Sequence, residues 1–360
     1  MRTPAKLTAA MFACCALLGS TVVSASVTSA TATAVTAVSC SDTDLPVSGP
    51  DGPTTVHGRF CLPAGTTPDA VQLLVHGGTY NSAYWDIPEE PERNSYQRDM
   101  AAHGYATFAM DQLGAGRSGK PLSPRLLLPA AAKAVHEVVG HLRAGHVGGH
   151  AFGKVVLAGH SVGSGVVAAE AATYHDVDAV ILSGITHLPA VPVLALGVLF
   201  GLQPAFAEPR FLGSDLLYFT TKPGSREWLF YHRENADPGV IAADEATKDQ
   251  VSVPGMGTVA VFGIVLPVTK GIDVPVFQAV GENDVLFCGV LALRDCSSAE
   301  KLREQEAPYY GPGARLSTYV LPGAGHSLAL HRNAAAYREA TRSWLTGELG
   351  LAPEGYHPIG

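Results

Sequence analysis

Gly159-His160-Ser161-Val162-Gly163 sets a serine between two glycines, each two residues away. It is the arrangement in this chain whose residue types best suit covalent chemistry. An apolar run, Lys154–Gly159, leads into it, and a small-residue segment, Gly163–Tyr174, follows. That order reads as strand, sharp turn and helix. Such a bend lifts the serine hydroxyl above the strand ends, and glycine at the flanking positions removes Cβ atoms that would collide there. The helix start behind the serine offers backbone N–H groups and a positive dipole end to a developing oxyanion. The plain alternative is a tight Gly/Ser-rich turn with no chemistry.

A serine hydroxyl is a weak nucleophile and needs a base, itself oriented by a third group. His326 is the best-placed base, in the loop Pro322-Gly323-Ala324-Gly325-His326-Ser327 after the last apolar run. Its competitors sit less well: His160 inside the turn, His187 at the entrance to an unusual segment, His331 at the start of a final helix. Asp284, in Gly281-Glu282-Asn283-Asp284, is the best orienting acid, with Glu282 as runner-up. A serine, base and acid of this kind perform two-step acyl transfer.

These residues need a scaffold. Thr55–Cys61, Val71–His76, Tyr105–Asp111, Lys154–Gly159, Ala179–Ser183, Val274–Gly281 and Leu316–Pro322 read as strands. Arg93–His103, Ala130–Arg143, Gly163–Tyr174 and Asn333–Leu345 read as helices. The alternation specifies an α/β fold with a mainly parallel sheet covered on both faces. No repeat of 20–50 residues interrupts it. Residues 187–271 break the rhythm with proline, glycine and many large apolar side chains, among them Phe211, Tyr218, Trp228 and Phe230. They read as a mostly helical cap inserted between the two halves of a core, 39–186 and 272–350, and as the walls of an apolar cleft.

With these elements in place, the chain resembles the α/β-hydrolase superfamily over about Thr55 to Leu349, with the chain order Ser, Asp, His typical of that fold. His76-Gly77-Gly78-Thr79 is similar to an oxyanion-hole loop, and Asp111-Gln112-Leu113-Gly114-Ala115-Gly116-Arg117-Ser118 to the family's D-x-x-G-x-G-x-S loop. The resemblance implies an oxyanion hole made by the N–H groups of Gly78 and Val162, with Gly77 as the other register. It also separates the chain from haloalkane dehalogenases and epoxide hydrolases, which carry aspartate where Ser161 stands. The Ala/Gly-rich usage and leader resemble a secreted actinobacterial member.

Export is expected from residues 1–38. Arg2 and Lys6 precede an apolar stretch, Leu7 to Leu18, then small residues, and no acid occurs before Asp42. This is a signal-peptide pattern, with an uncleaved anchor as the alternative, and the apolar run is short for a span. Two of the six cysteines lie in that leader. The remaining four permit three pairings. Nearest-neighbour bridges, Cys40–Cys61 and Cys288–Cys296, close two short loops and suit an oxidising compartment, while buried free thiols are the alternative.

The 360 residues are 47% hydrophobic and only 16% charged, with a net charge of −8, which argues against disorder and against a nucleic-acid partner. No metal-ligand spacing stands out, and the short glycine pattern at Gly114–Gly116 does not suit a dinucleotide, so neither metal nor cofactor is expected. The expectation is a secreted serine hydrolase acting on an ester or lactone of a small lipophilic molecule, with no stable membrane span in the mature chain. Peroxide-dependent chemistry or peptide cleavage on the same three residues (Glu208, Glu227 and Glu234 being available in the cap), or a non-catalytic binding module, are the alternatives.

Overall fold

Runs such as Ala70–Val75, Ala106–Met110 and Ala179–Ser183 are buried at every residue, as strands covered on both faces must be. The computed structural model describes residues 37–351; the leader expected over residues 1–38 falls almost wholly outside them. In chain order the strands are β1 (Val38–Gly49), β2 (Gly52–Pro63), β3 (Ala70–Val75), β4 (Ala106–Met110), β5 (Lys154–His160), β6 (Ala179–Ser183), β7 (Leu202–Pro204), β8 (Tyr218–Thr221), β9 (Val251–Ser252), β10 (Val276–Gly281) and β11 (Ser317–Leu321). Eight of them form one sheet in the order β1-β2-β4-β3-β5-β6-β10-β11. Pairing is parallel from β4 to β11 and antiparallel for β1–β2 and β2–β4.

Because β3, β5, β10 and β11 run parallel, the segments that follow them emerge at one edge of the sheet. His76–Gly78, Ser161, Asp284 and His326 all lie in those segments. Helices Leu128–Arg143 and Val162–Tyr174 pack together in one layer, and Tyr96–Ala102 packs with Ala334–Leu349 in the other. No helix among the described residues is long and apolar enough to cross a membrane.

Between β6 and β10 the chain makes short helices, including Val191–Leu196, Ser225–Phe230, Pro238–Thr247 and Val253–Thr258, and two π-helical turns, Gly197–Gly201 and Val259–Val265. It also makes a three-stranded antiparallel sheet, β7-β8-β9, which the reading as a mostly helical insertion omitted. Tyr218-Phe219-Thr220-Thr221 has the aromatic and β-branched content that favours a strand.

The four described cysteines form two bridges, Cys40–Cys61 and Cys288–Cys296. The first joins residues directly opposite each other in the β1–β2 hairpin. The second closes the loop that begins at Asp284, whose carbonyl accepts a hydrogen bond from Cys288 N–H (2.8 Å).

The expectation of no metal-ligand cluster needs one amendment. His136, Glu170 and Asp176 bring one ligand atom each within 4.8 Å of one another, across two helices whose sequence separation hid them. His136 Nδ1 pairs with Asp176 Oδ2 at 2.7 Å, while Glu170 is fully buried beneath them. Nine residues along a helix from Ser161 is about 13 Å, so this cluster stands apart from the serine.

Burial first, and then the adjacent Asp176 charge, push the Glu170 carboxyl up to about 9 from an ordinary 4.5. An acid with a folded-state pKa above its unfolded one loses folding stability as pH rises between the two values. This site therefore costs stability progressively from about pH 4.5 to about pH 9, and its contribution is level outside that window. Glu170→Gln should remove the slope and raise Tm relative to the parent most at the alkaline end. Thermal melts across the window that keep the parental slope would contradict this.

Candidate active site

Ser161 occupies the turn between β5 and helix Val162–Tyr174 at φ 52°, ψ −120°, a region that non-glycine residues enter only under constraint. Its N–H donates to the Ser183 carbonyl on β6 (2.8 Å), which fixes the turn to the neighbouring strand. The flanking glycines are required by space. A Cβ at Gly163 would lie 2.4 Å from the Val75 and His76 carbonyl oxygens, and one at Gly159 would lie 2.5 Å from Ser164 Cα.

His326 and Asp284 meet from the loops after β11 and β10. His326 Nδ1 and Asp284 Oδ2 are 2.8 Å apart, and both side chains are buried. Asp284 Oδ1 accepts from Leu286 N–H (2.9 Å), so the carboxylate is itself held. With Nδ1 committed to Asp284, the imidazole leaves Nε2 for another partner. Phe230 and Phe287 pack on the His326 ring. Ser161 and His326 line the same cavity, of about 370 Å³, together with Gly78, Thr79 and Val162.

The remaining sequence candidates have structural work. His331 sits behind His326: its Nε2 accepts from Gly325 N–H (2.8 Å) and His232 N–H (3.1 Å), and its Nδ1–H donates to Ser327 O (2.9 Å). Burial pushes it down to about 4, so it stays a neutral brace on both sides of His326. His160 is stacked on Tyr84 and its pKa is driven well down by burial. His187 is bonded to Glu306 and Thr269. Glu282 accepts from Gly323 N–H at an exposed position (2.8 Å) and braces the His326 loop from outside.

The His76-Gly77-Gly78-Thr79 segment lies directly against the turn. A Cβ at Gly77 would be 3.2 Å from Ser161 Cβ, and one at Gly78 would be 3.2 Å from Val162 Cγ2. His76 Nδ1–H donates to Gly77 O (2.8 Å), and its Nε2 accepts from Gln112 N–H (3.0 Å). Burial lowers its pKa, in keeping with a neutral ring. Asp111 and Ser118 close their own loop: Asp111 Oδ2 accepts from Arg117 N–H, and Ser118 Oγ donates to Asp111 O. Asp111 Oδ1 takes Ser82 N–H, which ties this loop to the segment after Thr79.

Arg226 was not legible in the sequence, since nothing in Lys222-Pro223-Gly224-Ser225-Arg226-Glu227 distinguishes it from a solvated surface charge. It is fully buried and forks onto Asp244 through Nε (3.0 Å) and Nη2 (2.8 Å). Its Nη1 donates to Thr79 O (3.0 Å) and Oγ1 (3.1 Å). Thr79 itself has φ 63°, and its carbonyl also accepts from Asp249 N–H. The guanidinium lies 4.0 Å over the Tyr80 ring, whose hydroxyl bonds Ser327 Oγ (2.6 Å), next to His326. Burial opposes the Arg226 charge, and Asp244 more than offsets that, leaving its pKa raised. One cation from the insertion thus grips both the glycine loop and the histidine loop.

These observations match a known family. A model of the alpha/beta hydrolase family matches residues 72–340, and the chain belongs to that family. A sequence search of curated proteins finds no match. Solved structures of similar fold include a thermophilic esterase from Thermogutta terrifontis (20% identity, 85% of this chain and 98% of that one, TM-score 0.52). An enol-lactonase from Burkholderia xenovorans (16%, 81% and 97%, TM-score 0.53) and a bromoperoxidase from Bacillus anthracis (15%, 84% and 100%, TM-score 0.54) are similar as well. At these identities the likeness is one of fold.

Removing Arg226 alone strands a buried carboxylate, a loss of about 3–5 kcal/mol. Arg226→Met should therefore be strongly destabilised in urea titration, and Arg226→Met with Asp244→Leu should recover a large part of the loss. A double variant no more stable than the single one would show that the pair is not the source of the cost.

Proposed function

We propose that this protein hydrolyses an ester or lactone bond of a lipophilic small molecule through an acyl-enzyme on Ser161. The observation that carries the reading is that Ser161, on its constrained turn, opens into the same cavity as His326, which is bonded to Asp284. In this mechanism His326 Nε2 takes the Ser161 proton as Oγ attacks the carbonyl carbon. Asp284 holds the imidazole in that tautomer and stabilises the imidazolium. The N–H groups of Gly78 and Val162 receive the oxyanion, each donor worth about 3 kcal/mol. The tetrahedral adduct collapses, His326 returns the proton to the leaving alcohol, and a water activated by the same nitrogen releases the acid.

Composition of the cavity supports a lipophilic substrate. Its walls are Leu194, Val198, Leu229, Met256, Ile264 and Phe287, with further apolar residues, and Thr79, Ser161 and His326 are the polar side chains that reach it. A peptidase that held a substrate amine would need a carboxylate there. Glu208 instead pairs with Lys248, Glu227 with Arg233, and neither they nor Glu234 line the cavity. Export of the protein is part of the proposal, supported by the basic-then-apolar leader and by the two disulfides.

A panel of chromogenic esters and lactones of graded acyl length tests the reading. Ser161→Ala should lose roughly 10⁴-fold or more in kcat, and Asp284→Asn about 10⁴-fold, both with the fold intact by circular dichroism. Longer apolar acyl groups should give the higher kcat/KM. Ser161→Ala retaining most of the activity would overturn the mechanism. Peroxide-dependent bromination exceeding ester turnover would assign the same three residues to peroxide chemistry.

A further inference from the structure

Three segments that wall the cavity contain no acidic or basic side chain: 188–207, 250–269 and 285–293. Each contributes to the inner wall, through Leu194 and Val198, through Met256 and Ile264, and through Leu286 and Phe287 respectively. Each also turns large apolar side chains outward. Leu199 is 66% exposed and Phe200 60% on the first, Phe262 55% on the second, and Val290 87% and Leu293 71% on the third. Leu196, Val261, Val265, Leu266 and Leu291 are exposed beside them. The third segment packs against the first through Val290–Ala292 and helix Val191–Leu196, and Ala190 N–H donates to Leu286 O.

Single exposed leucines need no explanation, but grouped ones at this density mark a surface meant to meet something apolar. Polar alternatives were open at these positions, because side chains exposed to this extent are not required for core packing. The occupant follows from where the surface lies. The segments that bear it also wall the cavity that holds Ser161, and with substrate entering between them a second copy or a protein partner seated there would close that route. A lipid surface would instead bring apolar molecules to that route without passage through water.

We propose that these three segments form a docking face for the surface of a lipid aggregate, from which substrate enters the cavity directly. The substrate and the choice of a lipid occupant rest on the hydrolase reading above; the exposed, uncharged apolar face does not. Because the face carries no charge and the chain is net negative, attachment is by apolar insertion and needs no anionic lipid.

The full chain carrying Ser161→Ala, which cannot turn lipid over by the proposed route, is mixed with phosphatidylcholine vesicles and floated on a density gradient. It should partition with the vesicles at low and high salt alike. Leu199→Glu combined with Phe262→Glu should lower that partitioning by about tenfold or more, and Val290→Glu should lower it further. The same substitutions in the Ser161 protein should leave turnover of a short soluble ester unchanged, which shows that they fold and that the cavity is intact. Absence of vesicle binding by the parent, binding only to anionic vesicles at low salt, or equal binding by the glutamate variants would each overturn the proposal. Vesicle binding without any ester turnover would leave the docking face standing and refute the hydrolase reading alone.

Discussion

The backbone of Ser161, at φ 52° and ψ −120°, is the constraint around which the rest of the molecule is arranged. A non-glycine residue in such a conformation costs about 1–3 kcal/mol and persists only when its surroundings fix it from several sides. Here β5 is paired on both edges, with β3 and with β6, and the Ser161 N–H is bonded to β6. The glycines at 159 and 163 leave no room for relaxation by insertion of a side chain. The fully buried strands supply the rigidity, and the turn spends part of it on presenting one hydroxyl.

The same sheet edge explains why four separate chain segments converge. Parallel strands end together, so the glycine loop, the serine turn, the acid loop and the histidine loop are neighbours without any long-range reach. What the sheet alone does not do is set their orientations. That falls to buried polar links: His76 to Gln112, His331 to the loop on both sides of His326, and Arg226 to Thr79 and, through Tyr80, to Ser327. The insertion is therefore part of the site as well as its cover. Asp244, remote in sequence from Ser161 and His326, is tied through Arg226 to two loops at once.

Much of this was legible in the sequence, and the reasons are physical. Strands buried on both faces are continuous apolar runs, so Ala179–Ser183 and the run ending at Gly159 could be read almost to the residue. The serine turn, the acid and the histidine each follow such a run, and their order gave the family. β1 was not legible: Asp42, Asp44 and Pro46 make Val38–Gly49 look like a loop, because an edge strand with one solvent face tolerates charge and proline. The Arg226–Asp244 pair and the cluster of His136 with Glu170 and Asp176 were hidden for another reason. Each is created by packing between helices, and neither leaves a local spacing to detect. The small sheet β7-β8-β9 fell inside a segment where proline and glycine obscured any period.

We propose Ser161 as a nucleophile activated by His326 and Asp284. Its most direct test is intact-mass and peptide mass spectrometry of the full chain after treatment with a fluorophosphonate. One adduct per chain is expected, located on Ser161, with labelling slowed sharply in His326→Gln although the serine itself is unchanged. No adduct on the folded protein, or an adduct on another residue that forms at the same rate without His326, would contradict it.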